Sequence, residues 1–253
     1  MYETGDREDQ TDAQQEANGE DLIIKTLRFL RGSLPPNERT RRATNPKSEK
    51  ESFIEWSRDL GLLLENTSLP SEVVKGGQEH DLRFDEDTNR YWKLTKNGVF
   101  GLVPGIDLTL VPSSMDGRNF TLWEADIVSY FERLYLHNLL VPELNVFEGV
   151  LLQPDEIIIV TSQPRFEIVA VTQEEIDHWF VLQGFEKVTS AAYYRRKDNL
   201  GVFDAHDKNV VRFNDLLIPF DVIPCHLSDG FLGFIEDVLK RGEYVRIIKN
   251  STV

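Results

Sequence analysis

The sequence predicts an α+β fold. β-rich segments recur as pairs joined by short polar turns, and five stretches carry apolar residues at helical spacing. A polar loop, residues 204–209, lies between two of the pairs. At 253 residues the chain is long enough to bury a sizeable core, as one large domain or as two lobes sharing a cleft. Hydrophobic residues at 40% and aromatics at 10% are ordinary for a globular protein.

The elements follow in order. Residues 1–20 hold seven acidic residues against one Arg and almost nothing apolar, so they are expected to be a disordered acidic tail. Leu22, Ile23, Leu27 and Leu30 predict a short helix that ends near Gly32, Pro35 and Pro36. Residues 39–50 read as a flexible basic linker, and a second helix is expected over roughly 49–64. Leu82 and Phe84, then residues 91–94, flank DEDTNR and predict an antiparallel hairpin with Lys93 on its second strand.

Thr121 followed by Glu124 reads as a capping box, which predicts a helix over 121–139 with Ile127, Val128, Phe131, Leu134 and Tyr135 on its apolar face. Residues 147–152 and 157–160 form a second pair around QPDE, and helical spacing resumes over 173–183. Residues 193–195 with 201–203, and 209–213 with 216–220, predict two further hairpins. Phe231, Phe234, Ile235 and Val238 predict a last helix over 227–239.

Charge and composition narrow the functional classes. Lys plus Arg total 28 against 43 for Asp plus Glu, and a net charge of −15 argues against a broad electrostatic grip on nucleic acid or anionic lipid. The single cysteine, Cys225, permits no internal disulfide, and no Cys/His cluster has zinc-site spacing. The start MYETGDREDQ lacks a secretory pattern, and no apolar run approaches the ~18 residues that span a bilayer. A cytoplasmic protein is expected.

Residues 203–221 read FDAHDKNVVRFNDLLIPFD. Asp204, Asn209 and Asp221 stand at the ends of β-rich segments, and phosphoryl transfer uses such a set. One carboxylate orients or deprotonates the attacking hydroxyl, while an amide oxygen and a second carboxylate offer hard ligands for Mg²⁺. In kinase catalytic loops an Asp precedes an Asn by five positions, as Asp204 precedes Asn209, and the second metal-binding Asp follows on the next hairpin. His206 makes DAHDKN fit the DxHxxN pattern of small-molecule kinases better than an HRD loop.

Lys93 in RYWKLT is the cation expected on nucleotide phosphates, and either Glu124 or Glu132 is expected to pair with it. Gly76 and Gly77, before Glu79 and His80, read first as a plain turn and only weakly as the remnant of a glycine-rich loop whose backbone approaches phosphates. Ser162 and Gln163, at the end of the strand EIIIV, stand where backbone groups could meet adenine.

The ordered motifs QEHDLRFDEDTNRYWKLT, SYFERLYLHNLL, FEGVLL, IIIVTSQP, FDAHDKNVV and PFDV resemble the Ser/Thr/Tyr kinase domain found in polyvalent proteins of phages and mobile elements, over about residues 76–224. The resemblance implies a small, divergent protein-kinase-like bilobal fold that uses ATP and Mg²⁺. Asp204 would be the catalytic Asp, Asn209 and Asp221 metal ligands, and Lys93 the phosphate-binding Lys. Glu79, His80 and Gln163 match other recurring positions.

The implied organisation is an accessory helical region over 21–70, an N-lobe over 71–164 with an antiparallel sheet and one helix, and a reduced C-lobe over 165–253. PFDVIP lacks Phe-Gly after Asp221, and only 32 residues follow it, too few for a standard peptide-binding lobe. A pseudokinase or nucleotide-sensing module is therefore the alternative to an active phosphotransferase. The phosphate acceptor, protein or small molecule, is left open.

Overall fold

A computed structural model of the chain describes residues 21–33, 46–96, 99–106, 120–154, 156–167, 169–241 and 247–248. The expected acidic tail lies outside the described residues, as does the expected basic linker up to residue 45. The rest of that linker opens a helix instead, with Pro46 at its first position, where a missing N–H costs nothing. No described helix is long and apolar enough to cross a membrane.

Five strands form an antiparallel sheet in the order β1 (Glu72–Val74), β2 (His80–Asp85), β3 (Arg90–Thr95), β7 (Glu156–Pro164) and β6 (Val146–Gln153). The β2–β3 turn ends at Asn89, whose φ of 53° suits a short amide side chain. Strand β7 lies inside the sheet, paired on both sides, and is buried from Ile157 to Gln163, which suits the unbroken apolar run Ile157–Val160. Register sets Leu82 opposite Lys93, Lys93 opposite Thr161, and Tyr91 opposite Gln163.

Strand β6 would be an open edge, but residues 62–64 close it. Leu64 N–H donates to the Val150 carbonyl and Val150 N–H to that of Leu62, both at 2.8 Å. Gly149 permits this approach: a Cβ there would lie 2.5 Å from the Leu62 carbonyl oxygen.

Helices α1 (Leu22–Ser33), α2 (Pro46–Asp59) and α3 (Ile127–Leu140) pack on this sheet. Ile23, Leu27 and Leu30 of α1 share a core with Phe53 of α2, Phe131 and Leu134 of α3, and Phe147 and Ile159 of the sheet. Phe53 meets the Phe131 ring at 5.6 Å, and Phe131 meets Phe147 edge-on at 4.9 Å.

The sequence placed the start of α3 too early. Residues 120–124, FTLWE, are strand β5 (Phe120–Glu124), paired with β4 (Leu102–Ile106) and in parallel with β14 (Ile247–Ile248). Its aromatic and β-branched composition suits a strand. The helix starts after Asp126, whose carboxylate accepts from Ser129 N–H at 2.7 Å. A full capping box does form at Thr172 and Glu175, before α4 (Gln173–Leu182).

A second antiparallel sheet runs in the order β13 (Ile223–His226), β10 (Leu200–Phe203), β9 (Ala192–Arg195), β8 (Glu186–Thr189). Its alternating side chains serve two cores. Tyr193, Leu200 and Val202 meet Ile176 and Phe180 of α4, whereas Tyr194, Phe203 and Ile223 meet Phe231, Phe234 and Ile235 of α5 (Asp229–Arg241). Between β10 and β13 in the chain stands the hairpin of β11 (Val210–Phe213) and β12 (Leu216–Pro219). Asn214 and Asp215 turn it with φ of 48° and 64°, the sign that a two-residue hairpin turn of this hand requires.

Because Phe53 is fully buried where α2, α3 and β6 meet, Phe53→Ala should cost about 3–5 kcal/mol by the usual penalty for truncating a core aromatic. Chemical denaturation of the full chain measures it, and a loss under about 1 kcal/mol would mean that α1 and α2 do not contribute to the common core.

Candidate functional site

The first sheet, the loop after β10 and the segment Phe220–Asp221 ahead of β13 surround one cavity of about 760 Å³. Ligand sites fall typically between about 300 and 1,000 Å³. Lys93, Gln163, Asp204, Asn209 and Asp221 all line it, with Val74, Leu82, Leu102, Tyr91 and Phe220 as its apolar walls. Lys93 Nζ donates to Gln163 Oε1 and to Asp221 Oδ1, each at 3.3 Å. The Lys93 side chain is mostly buried, while that of Asp221 is 44% exposed to the cavity.

Asp204 follows β10 in a left-handed conformation, φ 57°, which costs most side chains 1–2 kcal/mol but is tolerated by Asp and Asn. The conformation is held from several sides. Asn209 Nδ2 donates to the Asp204 carbonyl at 2.8 Å and to Oδ2 at 3.0 Å, and Ala205 N–H donates to the Ala191 carbonyl. Gln173 Nε2 reaches the Ala205 carbonyl at 3.3 Å and the Tyr193 hydroxyl at 2.9 Å, and that hydroxyl donates to Asp177. His206 accepts Lys208 N–H at Nδ1, which leaves Nε2–H facing Asp204 Oδ1 at 3.5 Å.

Asp221 N–H donates to the Asn209 carbonyl at 3.3 Å, so the loop and the second Asp are joined through the backbone as well. The Asn209 amide nitrogen is engaged with Asp204, and its amide oxygen is the group it can present to a ligand. An amide and a carboxylate are hard donors that suit Mg²⁺. Among the described residues no three His, Cys, Asp or Glu side chains gather as a metal site. An ion at Asn209 and Asp221 would therefore draw its other ligands from phosphate and water, as Mg²⁺ at nucleotide sites does.

Other expected residues take different places. Neither Glu124 nor Glu132 pairs with Lys93. Glu124 is exposed on β5 opposite Leu102, because the helix begins three residues later. Glu132 lies one residue, hence about 100°, off the face of α3 that looks to the site, and bonds Arg31 and His226, each at 2.9 Å. Ser162 is fully buried and points away from the cavity, accepting from Arg90 Nε at 2.8 Å and donating to Glu148. Strand alternation sends Gln163, its neighbour, into the cavity. Gly76 serves a tight fold-back, since a Cβ there would lie 2.2 Å from the His80 carbonyl oxygen; only Gly77 lines the cavity.

The partner that sequence reasoning missed is Arg133. With Tyr130 and His137 it forms one face of α3, at spacings of three and four, and a charged residue on that stripe was the signal in the sequence. Arg133 Nη1 donates to Glu79 Oε2 at 2.7 Å, and its Nη2 lies 4.0 Å from Asp221 Oδ1. Burial opposes ionisation of Asp221, but Lys93 and Arg133 outweigh it and hold the carboxyl below its usual range. Buried His80, against the Tyr130 hydroxyl at 3.1 Å, is pushed well below the usual histidine range by burial and by the same two cations. It is neutral near pH 7. Burial raises the Tyr130 phenol to about 12.

Residues 118–226 match the family model described as Serine/Threonine/Tyrosine Kinase found in polyvalent proteins. No curated protein and no solved structure matches the chain. The kinase match runs from the start of β5 through β13 and contains Gln163, Asp204, Asn209 and Asp221, while Glu79, His80 and Lys93 precede it.

His137 ties α3 to the segment that ends in Asp221. Its Nε2–H donates to the Pro219 carbonyl, and burial lowers its pKa from 6.5 to about 4. Between those values the unfolded chain binds a proton that the folded chain does not, so this contribution is present above pH 6.5 and is lost as pH falls through 4. His137→Gln should reduce the slope of unfolding free energy against pH by about one proton, roughly 1.4 kcal/mol per pH unit, over that window. Denaturant titrations at stepped pH measure it, and an unchanged slope would mean that His137 is not neutral in the fold.

Proposed function

We propose that the cavity binds ATP with Mg²⁺ and that the protein is a phosphotransferase of small, divergent kinase-like architecture. The supporting observation is the convergence of Lys93, Asp204, Asn209 and Asp221, scattered over 129 positions of sequence, on one cavity. The kinase family match over the segment holding three of the four adds to it. In this reading residues 71–164 act as one lobe and 165–253 as a reduced second lobe, with 21–70 as an accessory layer on α3 and β6.

Lys93 and the Gln163 beside it face the phosphates. Asn209 and Asp221 hold Mg²⁺, which when bound offsets phosphate charge. Asp204, in its left-handed conformation, orients the acceptor hydroxyl and takes its proton. A bond forms between the acceptor oxygen and the terminal phosphorus as the bond to the nucleoside diphosphate breaks. His206, with Nε2–H toward Asp204, keeps that carboxylate turned to the acceptor side. Val74, Leu82 and Phe220 offer apolar surface for a base.

ATP with Mg²⁺ should raise the melting temperature, since a ligand of the folded state stabilises in proportion to occupancy. Asp221→Ala should weaken Mg²⁺-dependent nucleotide binding and turnover together. Asp204→Asn, chosen because Asn accepts φ near 57°, should leave ATP affinity nearly intact and lower the transfer rate about 10²–10⁴-fold. Calorimetry and transfer of labelled phosphate to a panel of proteins and metabolites read both. Absence of any thermal shift or binding heat with ATP and Mg²⁺ would reject the nucleotide site. Binding without transfer to any acceptor, abolished by Asp221→Ala, would assign the protein to the pseudokinases.

A further inference from the structure

We propose that Arg133 is a positioning residue for Asp221, a second cation that keeps this carboxylate aimed into the cavity when Lys93 turns to the nucleotide. The proposal rests on the nucleotide reading and adds to it a residue outside the expected set. A buried guanidinium costs several kcal/mol in desolvation unless its partners are well placed, so one at this position needs a reason. Arg133 is 7% exposed, and its two terminal nitrogens face two different carboxylates, Glu79 at 2.7 Å and Asp221 at 4.0 Å. A planar fork meets each carboxylate with its own nitrogen, whereas an ammonium would have to bring both carboxylates to a single nitrogen.

The surroundings fix the fork in place. Gly101 passes over it with φ +82°, and a Cβ there would meet Glu79 Oε2 at 2.9 Å and Arg133 Nη1 at 3.0 Å. Three residues back on α3, Tyr130 bonds His80 at the start of β2, and four residues on, His137 bonds the Pro219 carbonyl. Helix α3 thus grips the strand after Glu79 and the segment before Asp221, with Arg133 between the two grips.

Lys93, by contrast, is shared between Gln163 and Asp221 at 3.3 Å each, and the nucleotide reading asks it to face phosphate. Without Arg133, Lys93 would be the one cation left beside Asp221 among the described residues, and ligand and carboxylate would compete for it. The Glu79 carboxylate, which also lines the cavity, would stand unpaired near the phosphates.

The test is calorimetry of the full-length chain with ATP, with and without Mg²⁺, with thermal melting to check folding. The readout is the enhancement of ATP affinity by Mg²⁺, which a purely structural role would not move. Arg133→Met should lower affinity for ATP with Mg²⁺ about 10-fold or more, the range seen when residues orienting metal ligands are lost, and change metal-free ATP affinity much less. Arg133→Lys should fall between. Glu79→Gln should keep the enhancement, because Arg133 still faces Asp221. Wild-type enhancement in Arg133→Met overturns the proposal, as does its equal loss in Glu79→Gln, which would make Arg133 only a staple for Glu79. If Arg133→Met does not fold, wild-type enhancement in Arg133→Lys overturns it instead. A wild-type chain that binds no ATP rejects the nucleotide reading and this proposal with it, whereas intact wild-type binding with unaltered variants rejects Arg133 alone.

Discussion

Asp221 lies 3.3 Å from the Lys93 ammonium and 4.0 Å from the Arg133 guanidinium, and those two cations come from different layers of the molecule. One stands on a strand of the first sheet and the other on the helix packed against it. The carboxylate itself belongs to the chain entering the second sheet. A single anion held this way fixes three elements relative to one another, and the cavity is the space left between them. Had Asp221 been neutral or fully solvated, Lys93 would keep its bond to Gln163 and Arg133 its pair with Glu79, but the shared anion that ties the strand and the helix to the second sheet would be lost.

Much of this was legible in the sequence because it is local. The hairpins around 86–89, 153–156, 196–199 and 214–215 declare themselves through turn residues between β-rich runs, and each forms. The Asp204 to Asn209 spacing was also readable, since a six-residue loop closed by its own side chains is a local object. What could not be read are contacts between distant elements. Lys93 finds Asp221 across 128 positions, and nothing near Lys93 distinguishes that partner from a glutamate on the next helix.

The mistaken start of α3 has a similar origin. Thr121 and Glu124 have the right spacing for a capping box, yet strand pairing with β4 competes for the same residues and wins, and Asp126 caps the helix. Moving the start to Ile127 carries Glu124 off the helix. Ser162 and Gln163 were expected to offer backbone groups to adenine; Ser162 pairs with Trp92 on one side and Val146 on the other, and alternation along the strand brings the Gln163 side chain to the cavity. Arg133 was visible only as an oddity, a cation on a stripe that otherwise packs.

The closure of the β6 edge by residues 62–64 bears on what can stand alone. The segment that resembles kinases by sequence begins after these residues, yet its own sheet edge and the aromatic surface of Phe131 and Phe147 are covered from outside it. Cut free, that segment would offer an unpaired strand beside an apolar face, the usual starting point for edge-to-edge association. The unit of sequence similarity and the unit of folding are thus different lengths of chain, and the stretch before residue 118 is structurally part of the machine it precedes.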